Sequence, residues 1–145
     1  MNFLDTSVLI AAVRTSDERH EASFDLVRKC DPRSAACAAH TIAEFYAGLT
    51  GINPPHRVHP RNAVAMLEGF RGRFQWVELT ADEVLETTRV IARLGLLGGI
   101  VYDALLMQCA RKVNAERIFT WDVRDFQLLA PDLAERIGAP CELGE

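Results

Sequence analysis

Short apolar runs, strand-like in length, alternate along this chain with longer segments patterned for helices. Strands separated by helices are joined by crossovers, which lays them side by side and mainly parallel in one sheet, with helices packed against it. The first run, Met1-Asn2-Phe3-Leu4, predicts a strand over residues 1–5 that feeds an apolar helix over 7–14. Thr15-Ser16-Asp17-Glu18 has the spacing of a capping box and predicts a second helix to residue 29. A small-residue strand is expected at 34–39 and a helix at 41–50, ended by Gly51. Asn53-Pro54-Pro55 breaks regular structure before a helix over 60–70. Residues 74–79 alternate as a strand does, and Thr80-Ala81-Asp82-Glu83 is a second capping box, opening a helix to residue 94. After the glycines at 95, 98 and 99, Tyr102-Asp103 opens a strongly apolar helix over 104–113. A buried-type strand at 117–121, short helical segments at 122–129 and 132–137, and an edge strand at 140–143 complete the reading. The expected fold is α/β, a single domain over residues 1–145 with a mainly parallel central sheet flanked by helices.

Four acidic residues fall where strand-like runs give way to helices, or in a helix's opening turn: Asp5, Glu44, Asp103 and Asp122. Each has an ordinary explanation. Asp5 and Asp122 can cap the helices they precede, Thr41-Ile42-Ala43-Glu44 matches a capping box, and Asp103 suits the positive end of a helix. Together they need a shared reason. The carboxyl ends of parallel strands form one rim, where ligands bind in open α/β sheets. Carboxylates gathered there repel one another unless a cation lies between them. An oxygen-only donor set favours a hard ion such as Mg²⁺ or Mn²⁺. The residues therefore point to a metal-dependent enzyme acting on phosphate esters.

Other chemistry is poorly represented. Cys30, Cys37, Cys109 and Cys141 form neither a C-x-x-C pair nor a zinc-ribbon pattern. His56-x-x-His59 and Cys37-x-x-His40 each lack nearby partners for zinc, and no phosphate-binding glycine loop is present. His40 lies beside the expected rim, where a structural role is favoured over substrate contact. The net charge of −4 is unusual for a nucleic-acid binder. Between His56 and Arg73 the balance reverses: Arg57, Arg61, Arg71 and Arg73 face only Glu68, a stretch able to meet phosphates. No apolar run approaches the roughly 18 residues that span a bilayer, and the first residues lack a secretory signal pattern. The cytoplasm is the expected location.

The chain resembles the PIN-domain family and, within it, the VapC-type toxins of toxin–antitoxin pairs. The resemblance rests on Phe3-Leu4-Asp5-Thr6-Ser7-Val8-Leu9-Ile10 and on Ile42-Ala43-Glu44-Phe45-Tyr46-Ala47-Gly48-Leu49. It continues through Tyr102-Asp103-Ala104-Leu105-Leu106 and Phe119-Thr120-Trp121-Asp122-Val123-Arg124-Asp125-Phe126, in the family's order and spacing. The last motif often carries asparagine where this chain has Asp122.

The resemblance implies a Mg²⁺- or Mn²⁺-dependent endoribonuclease that hydrolyses RNA phosphodiester bonds by a metal-activated water. It implies Asp5 and Asp103 as principal metal ligands, with Glu44 and Asp122 completing the catalytic cluster and Asp125 as an outer candidate. Thr6, Ser7 and Thr120 are expected to hold these carboxylates through their hydroxyls. A cognate antitoxin and a second copy of the chain are the implied partners, with no role for a membrane. Two other classes stay open. A non-catalytic PIN scaffold binding RNA or a partner protein would be marked by loss of the acids, which are present here. A phosphatase-like enzyme with Asp5 as nucleophile wants an acid two positions on, where this chain has Ser7.

Overall fold

The computed structural model describes residues 1–142. Strand β1 (Asn2–Leu4) leads into helix α1 (Thr6–Val13), followed by α2 (His20–Arg28), strand β2 (Ala35–Ala38) and α3 (Thr41–Thr50). Helix α4 (Pro60–Phe70), strand β3 (Gln75–Val77) and the long helices α5 (Ala81–Arg93) and α6 (Ile100–Lys112) come next. Strand β4 (Arg117–Phe119), helix α7 (Val123–Leu129), a 3₁₀ segment (Pro131–Arg136) and strand β5 (Ile137–Gly138) end the fold. The five strands form one sheet in the order β3-β2-β1-β4-β5, and every pairing is parallel.

The two-residue period of the strands divides the core. Successive strand residues point to opposite faces. Phe3, Ala36, Ala38 and Ile118 pack on one face with Leu106, Met107 and Ala110 of α6 and Phe126 of α7. Leu4, Ala35, Cys37 and Phe119 pack on the other with Val8 and Leu9 of α1, Phe45 and Leu49 of α3, and Phe70 and Phe74. Both faces are covered, so the strands read as near-continuous apolar runs.

The strand order positions the site. The chain moves outward from β1 through β2 to β3, then returns to the other side of β1 as β4 and β5. The order reverses between β1 and β4, and a crevice opens at the carboxyl ends of strands at such a point. Residue 5 follows β1 there, and residues 120–122 follow β4.

The structure corrects several boundaries. The capping box at Thr15 does not form, and α2 begins at His20 with no side-chain cap. Asp17 instead accepts from the Arg19 backbone N–H at 2.9 Å and from the Arg19 Nε and Nη2 at 2.9 and 2.8 Å, which holds the chain in a turn. The last strand is Ile137–Gly138 rather than 140–143. Thr120 N–H donates to the Gly138 carbonyl at 3.1 Å, whereas Pro140 has no N–H to offer a ladder. Residues 140–142 form a turn, and Leu143 lies outside the described residues. Residues 131–136 are 3₁₀, and α6 starts at Ile100, a turn earlier than its apolar run suggests. Among the described residues no helix is long and apolar enough to cross a membrane.

The second capping box does form: Thr80 Oγ1 accepts from the Glu83 N–H, and the Glu83 carboxylate accepts from the Thr80 N–H. Thr80→Ala is therefore expected to cost about 1 kcal/mol. Thr15→Ala, whose box is absent, should stay within about 0.5 kcal/mol of the parent. Chemical denaturation of both variants checks this, and equal losses would contradict the assignment of the helix starts.

Candidate active site

The tightest part of the rim is built around Asp5, which is only 4% exposed. It holds the N-cap position of α1 but makes no side-chain cap bond. Its carboxylate turns to two hydroxyls: Ser7 Oγ donates to Oδ2 at 2.6 Å and Thr120 Oγ1 donates to the same oxygen at 2.8 Å. Each hydroxyl accepts in turn from the backbone beyond β4. Trp121 N–H donates to Ser7 Oγ at 3.1 Å, and Asp122 N–H donates to Thr120 Oγ1 at 3.0 Å. A hydroxyl has one proton, and here amides fill an acceptor site on both, so both protons are directed to Asp5. Burial nevertheless outweighs these bonds and raises the Asp5 pKa above the ordinary carboxylate value, with the Asp122 charge adding to the rise.

Glu44 is fixed differently. Capping does not account for it, because His40 is the N-cap of α3 and no side-chain cap bond is made. Thr6 Oγ1 donates to Glu44 Oε2 at 2.6 Å and lies 3.3 Å from the fully buried Thr41 Oγ1. His40 Nε2 is 3.9 Å from Glu44 Oε1 and is a buried nitrogen without a hydrogen-bond partner.

Asp103 lies in the first turn of α6, half-buried. Burial raises its pKa to about 6, and the charges of Asp5, Glu44, Asp122 and Asp125 push it in the same direction, in that order of effect. Asp5, Glu44 and Asp122 therefore lie close enough to act on Asp103, with Asp125 contributing as an outer member. Asp122 and Asp125 are exposed. Asp122 is the N-cap residue of α7 and, like Asp5, makes no side-chain cap bond. Among the described residues no three His, Cys, Asp or Glu side chains converge closely enough to make a ready metal cage.

The weaker sequence candidates separate from this site. His59 Nδ1 accepts from the Arg61 N–H at 3.2 Å and caps α4. Cys37 is fully buried, and burial drives its thiol pKa well up, which disfavours a thiolate ligand. The arginines at 57, 61, 71 and 73 are exposed, and Arg57 and Arg73 reach the Ile52 and Arg28 carbonyls. One cation escapes the sequence reading. Arg19, paired with Asp17, holds its guanidinium 5.8 Å from the centre of the Trp121 ring, near the charge of Asp122. Nothing in its local spacing marks it, since the turn that aims it replaces a predicted helix.

The model of the PIN domain matches residues 3–130. The chain is 34% identical over 139 residues to Ribonuclease VapC40 of Mycobacterium tuberculosis, covering 96% of each protein. Its fold is similar to the crystal structure of M. tuberculosis VapC20, a sarcin–ricin loop cleaving toxin, with a TM-score of 0.70 and 22% identity over 88% of this chain and 94% of that one. It is also similar to a chain of a toxin–antitoxin complex from Klebsiella pneumoniae, with a TM-score of 0.62 and 16% identity over 97% and 98% of the two chains.

A raised carboxyl pKa has a stability consequence of definite sign. The folded state holds the Asp103 proton more tightly than the unfolded state, so this group's contribution is present below pH 3.8 and is lost as pH rises through about 6. In metal-free buffer Asp103→Asn should therefore melt above the parent at pH 7.5. Discounted for partial exposure, the gain is on the order of 1 kcal/mol, or roughly 2–4 °C. The gap should close near pH 4. A variant that melts lower at pH 7.5, or a gap independent of pH, would contradict the repulsive cluster.

Proposed function

The chain belongs to the PIN-domain family, and from that premise we propose that it is a divalent-metal-dependent endoribonuclease, the toxin of a toxin–antitoxin pair. The observation that carries the reading is the gathering of Asp5, Glu44, Asp103 and Asp122 at the carboxyl ends of β1 and β4, with Asp5 buried and held by Ser7 and Thr120 and with the other acids close enough to act on Asp103. Near-full-length similarity to a protein named a ribonuclease supplies the substrate class, RNA. The likeness to a chain of a toxin–antitoxin complex supports a cognate antitoxin as partner. A second copy of the chain is a further expected partner, residues 1–145 act as one domain, and the cytoplasm is the place of action.

Asp5 and Asp103 would hold the ion. Their donors are hard oxygens, suited to Mg²⁺ or Mn²⁺. Mg²⁺ is commonly held by one or two carboxylates and keeps several waters, a demand that Asp5 and Asp103 could meet. When bound, a divalent cation offsets charge developing on the phosphodiester and makes water a better nucleophile at neutral pH.

The chain's own residues do the positioning. Ser7 and Thr120 hold the Asp5 carboxylate against β4, so its orientation is set before substrate arrives. Thr6 fixes Glu44 from α1. Glu44 on α3 and Asp122 at the end of β4 would complete the acidic cluster, binding a second ion or orienting the attacking water.

Asp5→Asn and Asp103→Asn are each expected to lower cleavage of single-stranded RNA at least ~10²-fold, the scale of losing a main electrostatic contributor. Thr120→Val, which removes one hydroxyl from Asp5, should cost roughly 10–100-fold. Purified variants would be assayed with Mg²⁺ or Mn²⁺ and with chelator, their folding checked by circular dichroism. Undiminished cleavage by the folded Asp5→Asn, Asp103→Asn double variant would reject the site.

A further inference from the structure

A groove with a cavity volume of about 410 Å³ opens between the end of β3 and the starts of α3 and α6. Its floor is apolar, made by Val77, Leu79, Val84 and Leu105. Three polar residues rim it: His40, Glu78 and Tyr102. The volume lies in the range of small-ligand sites, roughly 300–1,000 Å³.

The groove is continuous with the acidic rim because the same two helix starts build both. His40 precedes Glu44 by one helical turn, with Nε2 3.9 Å from Glu44 Oε1. Tyr102 immediately precedes Asp103. A chain of nucleotides with a phosphate at the acids therefore has an adjoining base within reach of the groove. Resting on the ribonuclease reading above, we infer that this groove is a nucleobase subsite that selects a base bearing an exocyclic amino group.

Each wall matches a part of such a base. The apolar floor takes its flat face. Tyr102 is 56% exposed, a large aromatic surface left open where a base can stack. His40 has its Nε2 buried toward Glu44, so the 29% of its side chain that is exposed belongs to the rest of the ring. Glu78 is exposed and offers acceptor oxygens. Acceptor oxygens pair with the exocyclic amino groups of adenine, cytosine or guanine, whereas uracil offers only its ring N3–H and no amino group.

The probes are the four nucleoside 5′-monophosphates, which contain no bond for the enzyme to cut between nucleotides. Their binding to the parent protein in Mg²⁺ would be followed by NMR titration. The adenosine, cytidine and guanosine forms should bind several-fold more tightly than the uridine form. Tyr102→Ala should weaken all four by about tenfold, the scale of one lost stacking contact. Glu78→Gln should erase most of the discrimination against uridine, because an amide offers a donor as well as an acceptor. Equal binding of the four probes, or a preference unchanged in both variants, overturns the inference. RNA cleavage by the parent is scored separately. Absence of cleavage with the monophosphate pattern intact sinks the ribonuclease reading and supports the subsite.

Discussion

The structure depends on how one buried carboxylate is held at the switch point of the sheet. Asp5 follows the central strand, and its neighbours Ser7 and Thr120 both donate into Oδ2. Those hydroxyls are primed by amides at the end of the adjacent strand, so a chain of bonds ties β1 to β4 beyond their last ladder pair, Leu4 with Phe119. A buried ionised carboxylate without such partners would cost several kcal/mol or take up a proton. The arrangement explains why two hydroxyl residues flank the acid motifs at positions 7 and 120. One serves from α1 and the other from the end of β4, and neither caps a helix.

Around that anchor the remaining acids are arranged at a cost. The charges of Glu44, Asp122 and Asp125 bear on Asp103, the half-buried member, and disfavour its ionised form. A protein that only needed a stable rim would gain from replacing Asp103. Its presence fits a site designed to receive positive charge, and the repulsion stored without a cation becomes affinity when one binds. The hydroxyl supports limit how far the carboxylates can move, so this affinity is expressed at a defined place on the sheet edge.

Much of this was legible in the sequence because the relevant signals are local. Alternating apolar runs such as Phe3-Leu4 and Ile118-Phe119 predict the parallel sheet, and the four acids stand at the strand–helix junctions that such a sheet gathers on one rim. The three hydroxyl supports also follow from adjacency to the acids. Features set by distant contacts were not legible. Thr15-Glu18 and Thr80-Glu83 have the same spacing, yet only the second forms a box, because Arg19 takes Asp17 into a turn in the first. Thr41-Glu44 has that spacing too, but Thr6, 38 residues away, claims the carboxylate. The closing strand at Ile137–Gly138 is chosen by pairing to β4, a long-range bond that a two-residue run cannot announce. His40 and Tyr102 share a groove only once α3 and α6 are packed.

The central claim is that the rim is a repulsive carboxylate cluster relieved by a divalent ion. Calorimetric titration of Mg²⁺ into the metal-free protein, repeated in buffers of different ionisation enthalpy, counts the protons released on binding. With Asp103 raised to about 6 and Asp5 raised as well, binding at pH 6 should release a substantial fraction of a proton, and release should fall as pH rises. Asp103→Asn should lose most of the affinity and part of the release. Binding of Mg²⁺ at pH 6 with no proton release, or undiminished binding by the variant, would contradict the account.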